Sequence, residues 1–219
     1  MPEDGGDMTP HRGDPLAMST YATTGEPQER PLAIGLLVGG LVGLVAAAVL
    51  LVERIRLAED SGYVPTCSIN PVLSCGNVME SAQASLLGFP NPVIGVAAFP
   101  VVIATGAAML AGARLARWYW AGLQAGVTLA MVFVAWLVFQ SLYRIGALCP
   151  YCMVVWAVVI PLFWYVTARN AAAGVLGAPS GGWLGSVLRD WRGPLVFGTF
   201  LLVVLLVLER FWSYWSSLV

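Results

Sequence analysis

The chain has 219 residues, of which 58% are hydrophobic and only 11% charged, and its formal net charge is −1 at neutral pH. Soluble domains carry roughly 25% charged residues, so the composition excludes an ordinary soluble domain, and no nucleic-acid partner is expected. The length suits about one domain, and a helical bundle in a membrane would use nearly all of it.

The chain begins with a polar segment and a first membrane span. Residues 1–30 are rich in Pro, Gly, Asp and Glu without apolar periodicity, which predicts a disordered cytoplasmic tail. The first span, residues 31–52, is too long for a signal-peptide core and is interpreted as an uncleaved anchor. Its Gly35, Gly39 and Gly43 indicate either a helix-packing face or the general frequency of Gly in membrane helices.

Uncharged stretches predict four further spans, since a helix needs about 20 apolar residues to cross a bilayer core of roughly 30 Å. The stretch 81–113 is too long for one crossing and contains two prolines near residue 91, so we divide it into a short helix and a second span from about Val93. The remaining predicted spans are 118–143, 150–168 and 194–208. The Gly-rich stretch 170–188 predicts a loop or surface segment and not a sixth span.

The arginines predict the orientation of the bundle, because cytoplasmic loops carry an excess of basic residues. With the N-terminus in the cytoplasm, seven of the eleven basic residues lie inside and four outside. The inside set is Arg12, Arg30, Arg114, Arg117, Arg169, Arg189 and Arg192, and the outside set is Arg54, Arg56, Arg144 and Arg210. The protein is therefore predicted in the cell inner (plasma) membrane with its four cysteines on the extracytoplasmic side, where disulfides persist.

Cys67 and Cys75 occupy the outer loop after the first span. The seven residues between them predict a flexible loop, in which this pair can meet a partner and then approach the membrane. Apolar residues then recur at helical spacing, which indicates a short amphipathic helix that either covers a hydrophobic pocket or is an ordinary interfacial helix. These residues are Val78, Met79, Ala82 and Leu86.

A second cysteine pair, Cys149 and Cys152, opens the fourth span with two residues between its members. Pro150 suits the first helical position, where its missing N–H costs nothing. The unpaired N–H groups and the dipole at a helix start favour a thiolate, which lowers the thiol pKa. This pair is predicted to be a redox centre.

Other interpretations of the four cysteines stay open at this point. Cysteines in membrane helices often act as small apolar residues, two pairs can bind a structural zinc ion, and a static disulfide can join the pairs. No nucleotide-binding glycine motif, serine nucleophile or paired carboxylate arrangement accompanies them.

Taken together, the motifs resemble the bacterial branch of the vitamin K epoxide reductase family over roughly residues 32 to 170. The resemblance rests on the loop pair, Ser81 six residues after Cys75, Asn91 before the second span, and the Cys-x-x-Cys that opens the last core helix. It implies an all-α integral membrane protein, with a four-helix transmembrane bundle core around a quinone and a fifth transmembrane helix.

The resemblance also implies roles for individual residues. Cys149 and Cys152 match the active-site pair, with Cys152 facing the quinone, which would be menaquinone or ubiquinone. The loop pair matches the shuttle cysteines, and Ser81 and Asn91 match positions that border the quinone head group. Trp156 stands where the vertebrate enzymes carry a tyrosine. Its larger ring would reshape the pocket, so the resemblance leaves epoxide reduction and coumarin binding open.

The implied domain organisation is a tail (1–30), a redox core (31–170) whose extracytoplasmic loop and lid helix cover 57–92, a cytoplasmic connection (171–193), and a fifth transmembrane helix with a short outer tail (194–219). Many bacterial relatives carry a thioredoxin-like domain after the fifth span. Because this chain ends at Val219, a separate DsbA-like thioredoxin-fold protein is the expected partner.

The predicted function is therefore reoxidation of that partner, with electrons passed through both cysteine pairs to a membrane quinone in support of disulfide-bond formation. The alternative is a non-catalytic membrane protein with a four-cysteine zinc site or structural disulfides.

Overall fold

The computed structural model describes residues 29–60, 62–70, 72–86, 88–177 and 182–216. Nearly all of this is helical: α1 (Glu29–Glu59), α2 (Cys75–Glu80), a 3₁₀ helix (Ala82–Ser85), α3 (Pro92–Leu110), α4 (Arg117–Gln140), α5 (Pro150–Ala172), α6 (Trp183–Arg210) and α7 (Trp212–Ser216). The predicted disordered tail lies outside the described residues, except that residues 29 and 30 begin α1.

Five of these helices, α1, α3, α4, α5 and α6, are long and apolar enough to cross a membrane. The all-α membrane fold and the count of five spans are thereby confirmed. The helices alternate in direction, so every second connection lies at the same end of the bundle. We call one end the cysteine end, which holds Cys67, Cys75 and Cys149, and the opposite one the arginine end, which holds Arg169 and Arg189.

The closest helix packing in the bundle lies between α1 and α3. A Cβ atom at Gly106 would lie 2.7 Å from the carbonyl oxygen of Ala33, and one at Gly43 would overlap the ring of Phe99. Without a Cβ atom the two backbones approach closely, which is how small residues stabilise helix pairs in lipid. This packing fixes α1 and α3 relative to each other.

The predicted glycine repeat on α1 is not a single packing face. Only Gly43 packs closely against α3, whereas Gly39 makes ordinary contact with Val158 of α5 at 3.5 Å and Gly35 has nothing within 4 Å. Residues four apart drift around a helix by about 40° per step, so the three glycines meet different surroundings.

The helix α5 packs against α1, α4 and α6, and a buried polar cluster fixes it to α4 near the arginine end. Asn170, with no exposed surface, donates to the carbonyl of Trp120 and to the side-chain oxygen of Gln124, both at 3.1 Å. The Gln124 amide donates in turn to the Thr167 hydroxyl at 2.9 Å. Because buried amides need partners, this cluster selects one register of α5 on α4.

The helix α6 begins at Trp183, well before the apolar span predicted from residue 194. Charged residues end the apolar stretch here but do not interrupt the helix, namely Arg189, Asp190 and Arg192. Such residues lower the hydropathy of a segment, yet they remain compatible with a helical backbone. Gly185 lies on the end of α5, where a Cβ atom would be 3.0 Å from the Ala172 Cα. Much of the predicted connection, residues 171–193, is therefore helical.

Candidate active site

The four cysteines are in two different redox states. Cys67 and Cys75 form a disulfide with a Cα–Cα distance of 5.6 Å, whereas Cys149 and Cys152 are free thiols. Cys67, Cys75 and Cys149 are buried, and they form a small apolar cluster with Leu50 and Met79. The loop pair is thus oxidised and the helix pair reduced.

The two pairs meet through one sulfur of each. The Sγ atoms of Cys75 and Cys149 are 3.0 Å apart, and the sulfurs of Cys67, Cys75 and Cys149 all lie within 4.8 Å of one another. Reacting atoms held about 3–3.5 Å apart are close to the geometry of attack. The arrangement therefore suits thiol–disulfide exchange between Cys149 and the Cys67–Cys75 disulfide.

An isolated parallel β-bridge between Leu73 and Leu148 aligns the two cysteine segments. The N–H of Ser74 donates to the Leu148 carbonyl at 3.0 Å, and the Leu148 N–H donates to the Val72 carbonyl at 2.7 Å. Each cysteine is the residue that follows a bridging segment, so the bridge places Cys75 beside Cys149. The bridge was not predicted, because such short segments so far apart in the chain give no sequence signal that they pair.

A buried carboxylate holds the start of the outer loop. Glu53, on the last part of α1, is only 4% exposed. It accepts hydrogen bonds from the Tyr63 hydroxyl at 2.9 Å, the Thr66 hydroxyl at 2.8 Å and the Thr66 N–H at 3.4 Å. Because Thr66 precedes Cys67, these bonds position the disulfide. Glu53 was not among the predicted site residues, because it directly follows the predicted span 31–52, whereas in the structure the helix continues to Glu59.

Local hydrogen bonds shape the segment between the loop cysteines. Asn70 accepts from the N–H groups of Val72 and Leu73 at 3.0 and 2.7 Å, a side-chain turn for which asparagine is well suited. The Ser68 hydroxyl accepts from the Gly76 N–H at 3.3 Å. The sequence predicted a flexible loop, whereas the described residues here form a hydrogen-bonded turn.

Helix geometry determines the environment of the other pair. The π-helical turn Ser141–Ile145 continues α4, and Gly146, with a left-handed φ of 72°, reverses the chain toward α5. Cys149 directly precedes α5. The thiol of Cys152, as a hydrogen-bond donor, and then the N–H groups of Cys152 and Tyr151 lower the pKa of Cys149, while burial acts in the opposite direction. A thiolate at Cys149 is therefore favoured.

Ser81 and Asn91 both bond to backbone groups of the segment that covers this end of the bundle. The Ser81 hydroxyl donates to the Val78 carbonyl at 2.6 Å. The Asn91 side chain accepts from the Leu86 N–H at 3.1 Å and donates to the Gln83 carbonyl at 2.7 Å. The two residues thus shape α2 and the 3₁₀ helix, and their contact with a cofactor stays a prediction.

Trp156 follows Cys152 by four residues, so both lie on the same face of α5. It is 4% exposed, and its indole nitrogen is a buried donor without a partner among the described residues. Such a group costs about 1–3 kcal/mol unless something accepts its hydrogen. Gln140, at the end of α4, has a buried side-chain oxygen that also has no hydrogen-bond partner among the described residues. It was not predicted, although an amide in an apolar span is unusual.

The sulfur geometry favours exchange over structural zinc binding. Structural zinc sites use four ligands, among which cysteines act as thiolates. Here three sulfurs lie together, and two of them are bonded to each other. Disulfide sulfurs do not supply thiolate ligands, so this arrangement carries electrons more readily than it holds a metal.

The chain matches the model of a known protein family. The model of the vitamin K epoxide reductase family matches residues 34–167, which include all four cysteines as well as Ser81, Asn91 and Trp156. A search of curated proteins found no match.

Proposed function

The chain belongs to the vitamin K epoxide reductase family, and we propose that it oxidises an extracytoplasmic DsbA-like thioredoxin-fold protein and passes the electrons to a membrane quinone. Family membership supports the general class, a membrane thiol–disulfide oxidoreductase. The single observation that carries the finer proposal is the 3.0 Å contact between Cys75 and Cys149, which connects an outer pair to an inner one.

The first step is exchange with the partner. A thiolate of the reduced partner attacks Cys67, the Cys67–Cys75 bond breaks, and Cys75 leaves as a thiolate. The partner's second thiol then attacks the mixed disulfide and releases Cys67. The partner becomes oxidised, and the loop pair gains its two electrons. Thr66 and Ile69, on either side of this sulfur, are exposed, so a partner approaches from the loop surface.

The second step moves the electrons inward. Cys75 attacks Cys149 of a Cys149–Cys152 disulfide, and Cys152 leaves as a thiolate. Cys67 then attacks Cys75, releases Cys149 and restores the loop disulfide. A lower pKa makes a thiol a better leaving group, so the lowered pKa of Cys149 favours this release. The described state, with the loop pair oxidised and the helix pair reduced, corresponds to the product of this step.

The third step returns the helix pair to the disulfide. A quinone, menaquinone or ubiquinone, supplies an acceptor for two electrons and two protons when it is bound. The residues that would hold it are Cys152 and Trp156 on one face of α5, beneath a lid shaped by Ser81 and Asn91. The unpartnered indole N–H of Trp156 fits a quinone oxygen, and this donor supports the proposed site.

In the proposed orientation the protein lies in the cell inner membrane, and its N-terminus is in the cytoplasm. Among the described residues, six arginines lie toward the arginine end (Arg30, Arg114, Arg117, Arg169, Arg189 and Arg192) and four toward the cysteine end (Arg54, Arg56, Arg144 and Arg210). The excess of basic residues at one end supports that end as the cytoplasmic one and the cysteine end as the outer one.

Quinone reduction by the detergent-purified protein, supplied with a reduced DsbA-type protein, tests the proposal. Wild type is expected to turn over with at least one of the two quinones, and Cys152→Ala and Cys149→Ala are expected to be inactive. Turnover that survives Cys149→Ala would contradict the mechanism. Absence of turnover with both quinones, together with stoichiometric zinc in the purified protein, would favour the structural alternative.

A further inference from the structure

The arginine end of the bundle contains a cleft of about 230 Å³. Its walls come from α1, α5 and α6, and its charged lining consists of Glu29, Arg169, Arg189 and Arg192. Three guanidinium groups thus face one carboxylate, which leaves an excess of two positive charges. A cleft with this charge is suited to an anion.

The excess charge lies on α6, because Arg169 is already paired. The Arg169 guanidinium lies 3.4 Å from the Glu29 carboxylate and 3.6 Å above the ring of Trp120. In contrast, Arg189 is exposed and Arg192 half-buried. Arg192 lies 5.2 Å from the centre of the Tyr165 ring, and neither arginine has an ion pair with another described residue. Two guanidinium groups one turn apart therefore remain for a ligand.

The cleft depends on the early start of α6. Both of these arginines precede Pro194 in the segment predicted as a connection, and the close contact of Gly185 with the α5 backbone holds that segment against α5. Trp183 and Trp191, on the same segment, are 75% and 60% exposed. Exposed tryptophans near the end of a membrane helix are typical of the boundary between lipid and water, so the cleft lies at headgroup depth.

We propose that this cleft binds the phosphate of an anionic phospholipid headgroup, with Arg189 and Arg192 as its ligands. Guanidinium groups bind phosphate with paired, charge-assisted hydrogen bonds, and basic pockets between membrane helices are suited to lipid headgroups. In the proposed orientation the lipid belongs to the inner leaflet. The site is separate from the cysteines, so its failure would leave the redox mechanism unaffected.

Lipid titration of the intact, detergent-purified protein tests the site. Phosphatidylglycerol and phosphatidylcholine with identical acyl chains are added to wild type and to the double variant Arg189→Gln/Arg192→Gln. The variant Arg114→Gln is the matched control, because Arg114 is exposed in the α3–α4 connection at the same end and lies outside the cleft lining. The readouts are the thermal midpoint and the lipid retained in native mass spectra.

Phosphatidylglycerol, and not phosphatidylcholine, is expected to raise the thermal midpoint of wild type and of Arg114→Gln. The double variant should lose most of this rise and most of the retained lipid, and each single substitution should lose part of it. An equal rise in wild type and double variant, or none in wild type, would overturn the site. If inorganic phosphate alone reproduces the rise, the ligand is a soluble anion and the lipid assignment is overturned.

Discussion

The two cysteine pairs are held in place by different kinds of structure. Cys149 and Cys152 take their position from the start of one helix, whose own N–H groups and neighbouring thiol determine their chemistry. The loop pair depends on partners far along the chain, namely Glu53 on α1 and the bridge to Leu148. One pair is therefore reactive because of local geometry, and the other is aligned by tertiary contacts.

Because of this difference, the reactivity of the thiols and the alignment of the two cysteine pairs can be changed separately. Changes at the helix start should alter the chemistry of a thiol, whereas changes around the loop should alter how often the two pairs meet. In the proposed mechanism electron transfer needs both, since exchange runs through the contact between Cys75 and Cys149. Substitutions can therefore be chosen that affect one property at a time.

The largest effect is expected when only the two touching cysteines can react. In Cys67→Ser/Cys152→Ser, mild oxidation should convert nearly all molecules to a Cys75–Cys149 disulfide, because these sulfurs are 3.0 Å apart. Cys67→Ser/Cys149→Ser keeps two cysteines, Cys75 and Cys152, and should form far less disulfide. Thiol alkylation followed by intact mass measurement counts both products. Equal yields in the two variants would refute the pairing.

Removing the charge of Glu53 should slow exchange between the two cysteine pairs without changing the chemistry of either pair. Glu53→Gln keeps the shape of the side chain but loses hydrogen bonds to a charged acceptor, which are worth about 1.5–3 kcal/mol each. If about 1.4 kcal/mol of this hydrogen-bond energy serves to align the loop pair with Cys149, its loss slows exchange between the pairs roughly tenfold. Acid-quenched alkylation at successive times measures that rate.

Glu59→Gln is the matched control, because Glu59 is exposed at the end of the same helix. Its exchange rate should equal that of wild type. If both variants exchange at the same rate, the Glu53 contacts do not align the loop.

The thiolate of Cys149 should form at lower pH than an ordinary thiolate. In a variant with Ser at positions 67 and 75, thiolate absorbance should rise at lower pH than for an ordinary cysteine, because the Cys152 thiol and nearby N–H groups favour the charged form of Cys149. Adding Cys152→Ala to that variant removes the side-chain donor, which is the largest cause, so the midpoint should move to higher pH. A midpoint unchanged by this substitution would contradict the assigned cause.

The smallest effect is expected on the quinone side of the helix pair. Trp156→Phe removes a donor proposed to bond a quinone oxygen, so the quinone KM should rise by about 2- to 10-fold, as expected for a hydrogen bond of about 0.5–1.5 kcal/mol. Exchange between the cysteine pairs should not change. Since Trp156 is buried, the smaller ring leaves a cavity, and a modest fall of the thermal midpoint is expected as well. An unchanged KM would place the quinone elsewhere.

Several features of the fold were predictable from local properties of the chain. Apolar stretches of sufficient length identified all five spans. Gly146 lies between two predicted spans, where a glycine is a local turn signal, and it adopts a left-handed conformation. The boundary of α6 was wrong, because hydropathy detects the lipid-facing part of a helix and not the charged turns that extend it.

The position of Cys149 at a helix start was likewise predictable, because Pro150 suits the first helical position. The sequence alone therefore determined the membrane architecture and the place of this cysteine pair at the start of a span. Tertiary structure alone decided that Cys75 touches Cys149, that Glu53 holds the loop and that two arginines on α6 face a cleft. Such contacts join residues far apart in the chain, and only the packing of whole helices brings them together.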